Sequence, residues 1–313
     1  MQKLYDVVII GAGPAGLTAA IYAARGAAST LVVAGEKWGG QLMLTTQVEN
    51  FPGFPKGVLG PDLMLKMRRQ AEALGAEFLE NNITAVDFKV RPFHLSSKSQ
   101  LLKTKTVIIA TGALTAWLGV PGEKELIGRG VSTCAPCDAP FFKGKVVAVV
   151  GGGDTAMEEA SILTKYVSKV YLIHRRNTFR ASAATQNKAT KNPKIEIIWN
   201  TEVLRVEGKS RVESLELKNN NTNKTSELKV DGVFIAIGHR PDSDIFKGQV
   251  EMDNRGFITN NHMGRHTATS VPGVYVAGDV ADSHYKQAIT AAGCGCMAAM
   301  DAIFYLTEIA LDK

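Results

Sequence analysis

The sequence predicts an α/β protein of two Rossmann-like, three-layer domains, the second inserted into the first. Three observations predict it. An apolar strand, a glycine turn and a helix occur in that order at Gly11 and again at Gly151. The chain has 313 residues, long for one hydrophobic core. A late strand ends in Gly278-Asp279, and its natural home is the first domain, so the second must interrupt it.

Each element has its own signal. Tyr5 to Ile10 is a strand opened by Asp6, followed by Gly11-Ala12-Gly13-Pro14-Ala15-Gly16 and an alanine-rich helix to Arg25. Ser29 to Val33 reads as the next strand. Asp62 to Leu74 is an amphipathic helix stopped by Gly75. Val107 to Ala110 is a buried strand ending at Thr111-Gly112. The pattern then restarts: strand Lys145 to Val150, turn Gly151-Gly152-Gly153, helix Asp154 to Tyr166, strand Lys169 to Ile173. Gly232 to Ile237 is a second buried strand of that unit, closed by Gly238. The polar segment 208–230 reads as an exposed hairpin region. Val274 to Ala277 is followed by a small-residue helix from near Tyr285 toward Leu311. Pro121-Gly122 and Pro241 punctuate the two crossings between domains.

Composition narrows the class. The net charge is +6, but the basic residues form no long block; Lys103 with Lys105 and His174-Arg175-Arg176 are the densest groups. This is a mildly basic surface that can steer an acidic protein partner, and a nucleic-acid role is not expected. No signal peptide is expected at the start of the sequence, and no apolar stretch is expected to span a bilayer. Four cysteines do not make a disulfide scaffold. A reducing cytoplasm fits, with redox-active cysteines there for chemistry.

In the first turn, Gly11 permits the tight bend, Gly13 lets backbone approach a pyrophosphate and Gly16 allows close helix packing. The alternative is a tight structural turn. The acidic residue that holds a ribose at the end of the second strand is displaced: Ala34 stands there, and Glu36 comes slightly late. In the second turn Ala156 replaces the third glycine. At the end of the following strand stand His174, Arg175 and Arg176, then Arg180, where a carboxylate would repel a 2′-phosphate and arginines can pair with it. That favours NADPH over NADH; a solvated basic face is the plainer reading. Two dinucleotides imply a relay in which NADPH gives hydride and FAD, on the first site, accepts it.

Cys134-Ala135-Pro136-Cys137-Asp138 is the sharpest feature. The spacing lets the sulfurs bond at a turn, and attack, mixed disulfide and release follow from it. Asp138 can pass a proton to a departing thiolate or merely cap a helix. A zinc site on Cys134, Cys137, Cys294 and Cys296 is the competitor. It would leave both glycine turns unexplained, and Cys-x-Cys in a helix points its side chains apart. No metal is expected, and Cys294 and Cys296 read as buried small hydrophobes.

These residues together resemble the low-molecular-weight, bacterial-type thioredoxin reductases over nearly the full length. To the motifs above the likeness adds Gly39-Gly40-Gln41-Leu42, Val48-Glu49-Asn50-Phe51-Pro52-Gly53, Ala110-Thr111-Gly112, Gly151-Gly152-Gly153-Asp154-Thr155-Ala156, Phe179-Arg180, Ala277-Gly278-Asp279-Val280 and Gln287-Ala288-Ile289. The resemblance implies an FAD domain in two segments, 1–116 and 245–313, around an NADPH domain, 117–244, that carries the cysteine pair. It implies a homodimer that reduces thioredoxin, the inserted domain swinging between half-reactions. Cys134 would attack thioredoxin, Cys137 would face the flavin, and Asp138 would be the acid–base residue. FAD would be held by Gly11, Gly13, Pro14, Ala15, Gly16, Glu36, Gly40, Gln41, Leu42 and Asn50, by Ala110, Thr111 and Gly112, and by Gly278, Asp279, Lys286, Gln287 and Ala288. NADPH would be held by Gly151, Gly152, Gly153, Asp154, Thr155, His174, Arg175, Arg176, Arg180, Ile237 and Gly238. Three residues depart from the family pattern: Ala34, Ala139 in place of a glycine after the redox motif, and Lys286 in place of an arginine.

Overall fold

The structure, a computed structural model, describes residues 3–260 and 262–311. The chain divides into two compact units, Met1–Leu114 with Arg240–Lys313, and Thr115–His239. The crossings therefore fall at Leu114/Thr115 and His239/Arg240, a few residues before the boundaries read from the sequence.

The first unit opens with β1 (Leu4–Ile10), α1 (Pro14–Arg25) and β2 (Thr30–Val33). Val7 to Ile10 are all buried, the unbroken apolar run of a parallel strand covered on both faces. A two-strand ribbon, β3 (Gln47–Val48) and β4 (Val58–Leu59), leads to α2 (Gly60–Ala73). Gly75 has φ +95°, the left-handed stop that the sequence announces. Then come β5 (Glu77–Leu79), β6 (Ile83–Asp87), β7 (Phe93–Ser97), β8 (Leu101–Ile109) and β9 (Ala113–Thr115).

β8 is longer than the apolar stretch Val107 to Ala110 suggests. Its first half alternates exposed and buried residues and pairs antiparallel with β7; its second half is wholly buried and runs parallel to β1. Lys103 and Lys105 sit on the solvent side of that alternation, which hides the strand from a search for continuous apolarity.

The second unit contains β10 (Val131–Ser132), α3 (Ala135–Asp138), β11 (Val146–Gly151), α4 (Asp154–Leu163), β12 (Lys169–Ile173), α5 (Ala183–Thr190) and β13 (Ile195–Ile198). It continues with β14 (Thr201–Glu207), β15 (Ser214–Asn219), β16 (Thr225–Lys229), β17 (Gly232–Ala236) and β18 (His239–Pro241). The main sheet has the order β10-β17-β11-β12-β13, all parallel. One of its faces buries Val147, Val149, Leu172 and Phe234 with Met157, Ala160 and Leu163 of α4. The other buries Ala148, Val150 and Ile235 with Val203, Leu215 and Leu217 of the antiparallel sheet β14-β15-β16. Helix, parallel sheet and antiparallel sheet are the three layers. β15 and β16 form the hairpin expected within 208–230, but only β16 is exposed; β15 buries Ser214, Leu215 and Leu217, so the expectation of a solvent-exposed hairpin holds for one strand alone.

The chain returns to the first unit through β18, paired with β9, and adds β19 (Val274–Val276) and α6 (Ala288–Leu311). The first unit's sheet has the order β5-β2-β1-β8-β7-β6, with β19 parallel to β8. α6 lies against α1, and small residues set the distance: a Cβ on Gly295 would fall 2.1 Å from the Ala15 carbonyl oxygen.

Three expectations about this helix need correction. It starts at Ala288, not near Tyr285, because Lys286 has φ +50° and cannot lie within a helix. The Asp282 carboxylate builds that turn, accepting the amides of His284 and Tyr285 at 2.8 Å and Lys286 at 2.9 Å. At 24 residues and a mean hydropathy of 1.5, α6 is long and apolar enough to cross a bilayer by length and composition, contrary to the sequence expectation. Its buried face is Ala291, Ala292, Gly295, Ala298, Ala299 and Ala302, while Met297, Met300 and Phe304 lie exposed. Cys294 and Cys296 are free thiols and half-exposed, not buried.

Candidate active site

The glycines of the first turn divide into two kinds. A Cβ on Gly11 would lie 2.3 Å from the Ala110 carbonyl oxygen, and one on Gly16 would lie 1.9 Å from that of Gly11. Packing within the chain demands both. Gly13 has an ordinary φ of −79°, and a Cβ there would meet nothing within 4 Å. Neither backbone nor packing calls for glycine at Gly13. The open space lies at the N-terminus of α1, whose first turn has no acidic side chain and no side-chain cap. Free amides facing an open cradle are the donor set for a pyrophosphate.

Distant segments of the first unit converge on this cradle. A Cβ on Gly40 would sit 3.5 Å from the Gly13 Cα, and one on Gly278 would sit 3.0 Å from the Ala15 Cβ. Gln41 Nε2 donates to the Ala113 carbonyl at 3.1 Å, just beyond Gly112, and Leu42 lies in the same 3-10 turn. Thr111 Oγ1 donates to the Asp242 carbonyl at 2.5 Å. Asn50 Nδ2 donates to Gln287 Oε1 at 3.3 Å, immediately before Ala288 starts α6. Burial pushes the Asp279 carboxyl up to about 6, with Asp282 adding to the shift and Lys286 opposing it. No hydrogen bond to that carboxylate forms among the described residues. Glu36 is exposed and ion-paired with Lys98 at 2.9 Å.

The second turn repeats the division. A Cβ on Gly151 would lie 2.4 Å from the Ala236 carbonyl oxygen, and one on Gly152 would lie 2.2 Å from His174 Cε1. Gly153, with φ −98°, would meet nothing within 4 Å. It too opens a cradle at a helix N-terminus, that of α4. Asp154 turns away to accept the Ser182 amide at 2.9 Å and the Thr185 hydroxyl at 2.6 Å, leaving exposed Thr155 beside the cradle. Ile237 and Gly238 follow directly on the end of β17, with Ile237 exposed.

The basic cluster is smaller than the sequence suggests. His174 is buried: its ring packs on Phe179 and Trp199, and its Nε2 lies 2.9 Å from the Thr178 carbonyl. It shapes the strand end, and its ring is the reason residue 152 is glycine. Arg175, Arg176 and Arg180 are exposed. The Arg180 amide donates to the Gly152 carbonyl at 2.8 Å, which holds this arginine beside the turn. Among the described residues, none of the three guanidiniums is paired with a carboxylate. Three unpaired guanidiniums are the chemistry of a phosphate dianion site.

Cys134 and Cys137 form a disulfide with Cα atoms 5.3 Å apart. The bond closes one helical turn, in which the Cys134 carbonyl accepts the amides of Cys137 at 3.2 Å and Asp138 at 3.1 Å. Burial raises the Asp138 carboxyl above the usual carboxylate range, and a hydrogen bond from Ser132 opposes the shift. Ala139 has φ −52°, so alanine fits where a glycine was the expected residue. Sequence reasoning missed Ser132 and Asp282; the first stands two residues before the redox pair, the second opens an Asp-Ser turn.

Residues 5–295 match the family described as pyridine nucleotide-disulphide oxidoreductase. The chain belongs to that family. Among its relatives in the family, a thioredoxin reductase of Mycolicibacterium smegmatis is 48% identical over 98% of both chains. "Thioredoxin reductase 1, mitochondrial" of Arabidopsis thaliana is 50% identical over 96% of this chain and 84% of its own. The solved thioredoxin reductase from Giardia duodenalis superposes with a TM-score of 0.93 at 42% identity, over 98% of this chain and all of its own. As a family member this chain is a flavin-dependent disulfide oxidoreductase, and its electrons pass from NADPH through FAD to Cys134–Cys137. Both open glycine cradles fit that pair of dinucleotides.

Proposed function

We propose that this chain reduces the disulfide of thioredoxin, working as a homodimer in the cytoplasm. The observation that carries the reading is the Cys134–Cys137 disulfide beside a buried carboxyl, in the same unit as the NADPH-type turn. When bound, NADPH would supply a hydride and FAD would relay its two electrons to a disulfide. The first-unit residues named above would hold FAD, Gly13 and the α1 amides on its pyrophosphate and Asp279 on its ribityl and phosphate region. Gly153 and the α4 amides would hold the NADPH pyrophosphate, and Arg175, Arg176 and Arg180 its 2′-phosphate.

Cys137 takes the electrons first, the S–S bond breaks, and with two protons taken up in the reduction and from solvent the pair opens to two thiols. Cys134 then gives its proton to Asp138 and attacks one sulfur of the thioredoxin disulfide. That bond breaks, and the departing sulfur takes the proton back from Asp138. Cys137 passes its own proton through the same carboxylate to the second thioredoxin sulfur as it closes on Cys134. Two electrons and two protons leave the pair, and Asp138 ends as it began. Two crossings join the units covalently, and rotation about them belongs to this proposal. The exposed apolar residues Tyr22, Met297, Met300 and Phe304 of α1 and α6 support a dimer face. The free thiols of Cys294 and Cys296 suit a reducing cytoplasm.

The test is NADPH oxidation with oxidised thioredoxin or with glutathione disulfide at equal concentration. Turnover with thioredoxin alone is expected; turnover with glutathione disulfide alone would reject the acceptor.

The glycine cradles give a sharper check of the FAD site. Gly13→Val should cost the flavin-free fold no more than about 1 kcal/mol, the scale of an N-cap change. It should abolish flavin binding, because the new side chain fills the cradle. Gly16→Val should cost more than about 3 kcal/mol, since its Cβ alone would overlap a carbonyl. Flavin absorbance per chain and urea unfolding measure the two effects. A fully yellow Gly13→Val protein would remove the cradle from its role.

A further inference from the structure

One hydroxyl beneath the redox pair links groups that the exchange reaction moves. Ser132 ends β10 and is 7% exposed. Its Oγ donates to Asp138 Oδ2 at 2.5 Å and accepts the Cys134 amide at 3.1 Å. A serine hydroxyl has one proton and two lone pairs. It can donate to an ionised Asp138, or accept from a protonated one, and keep the Cys134 amide as its other partner in both states. No other side chain type of that size keeps both contacts through a change of proton.

We propose that Ser132 is a positioning residue for thiol–disulfide exchange, holding the Asp138 carboxyl against the backbone of Cys134 throughout the cycle. The proposal rests on the reading of Asp138 as the group that carries protons between the pair and its acceptor. The exchange itself keeps the balance given above: Ser132 neither gains nor loses a proton over the cycle.

The surroundings leave Ser132 a clear part. β17, paired with β10, carries only apolar residues from Gly232 to Ala236, and the 3-10 turn Ala139–Phe142 that follows α3 is apolar as well. α4, which packs on α3, carries Asp154, Glu158 and Glu159. Asp154 is committed to Ser182 and Thr185, Glu158 is exposed and Glu159 is buried. Lys143 follows the 3-10 turn. The Asp138 shift has two causes, burial and the Ser132 hydrogen bond, which act in opposite directions. Removing the hydroxyl leaves burial unopposed, so the carboxyl should hold its proton to higher pH.

The experiment follows NADPH-reduced holoenzyme reacting with oxidised thioredoxin by stopped flow across pH 5 to 9. The limb set by Asp138 should move up by about one pH unit in Ser132→Ala, the size of one hydrogen bond to a charged group. Ser132→Val, should the alanine variant fold poorly, should show the same shift, and Ser132→Thr, which restores a hydroxyl, should return the wild-type profile. In Asp138→Asn the limb should vanish, and adding Ser132→Ala should move nothing further. A limb that persists in Asp138→Asn would overturn the reading of Asp138 itself. A limb lost in Asp138→Asn but superimposable in Ser132→Ala and wild type would overturn the Ser132 proposal alone.

Discussion

Replacing Cys137 by serine should lower thioredoxin-dependent NADPH oxidation by on the order of a thousand-fold or more, the scale on which a covalent nucleophile counts. Flavin reduction by NADPH should survive. The reason lies in where the two halves of the reaction sit in the chain. The cradles at Gly13 and Gly153 are built by the packing of neighbouring glycines and by helix N-termini that contain no cysteine. The electron exit is a single disulfide closing one helical turn, and a serine oxygen cannot replace a sulfur in it. Cys134→Ser should behave alike in turnover. Stopped-flow bleaching of the flavin and steady-state turnover separate the halves. A serine variant that retains turnover within about ten-fold of wild type would detach the pair from the path.

Replacing Arg175 and Arg176 together by alanine should raise the KM for NADPH by about 100-fold and that for NADH by less than about 3-fold, as two charge-assisted hydrogen bonds imply. Both arginines stand just past His174 at the end of β12, exposed and free of carboxylate partners among the described residues, with Arg180 tied to Gly152 beside them. NADH has no 2′-phosphate for them to hold. Lysines at both positions should recover charge but only part of the affinity, because an ammonium cannot pair bidentately. Steady-state kinetics with the two nucleotides decides the matter, and equal rises in both KM values would reject the assignment.

Much of this molecule can be read from the chain alone, and the physics says which parts. β1, β11, β12 and β17 are continuous apolar runs because both sheet faces are covered, and the glycines after β1 and β11 mark where backbone must turn and stay open. β8 was half hidden because only one face of its first half is buried. The start of α6 depends on the Asp282 carboxylate gathering three amides, a contact no periodicity reveals. His174 resembled a phosphate ligand because it adjoins two arginines; its packing on Phe179 and Trp199 comes from segments that only the fold brings together. Asp138 was legible by position, but its burial and its tie to Ser132 were not.

The most direct test is a thiol count on the denatured protein before and after anaerobic reduction by NADPH. Four cysteines are present, and two of them, Cys294 and Cys296, are free while the other two are bonded. The count should rise from two to four per chain as the flavin bleaches, and the new thiols should vanish on adding oxidised thioredoxin. A count that stays at two once the flavin is fully reduced would contradict the electron path from dinucleotide to disulfide.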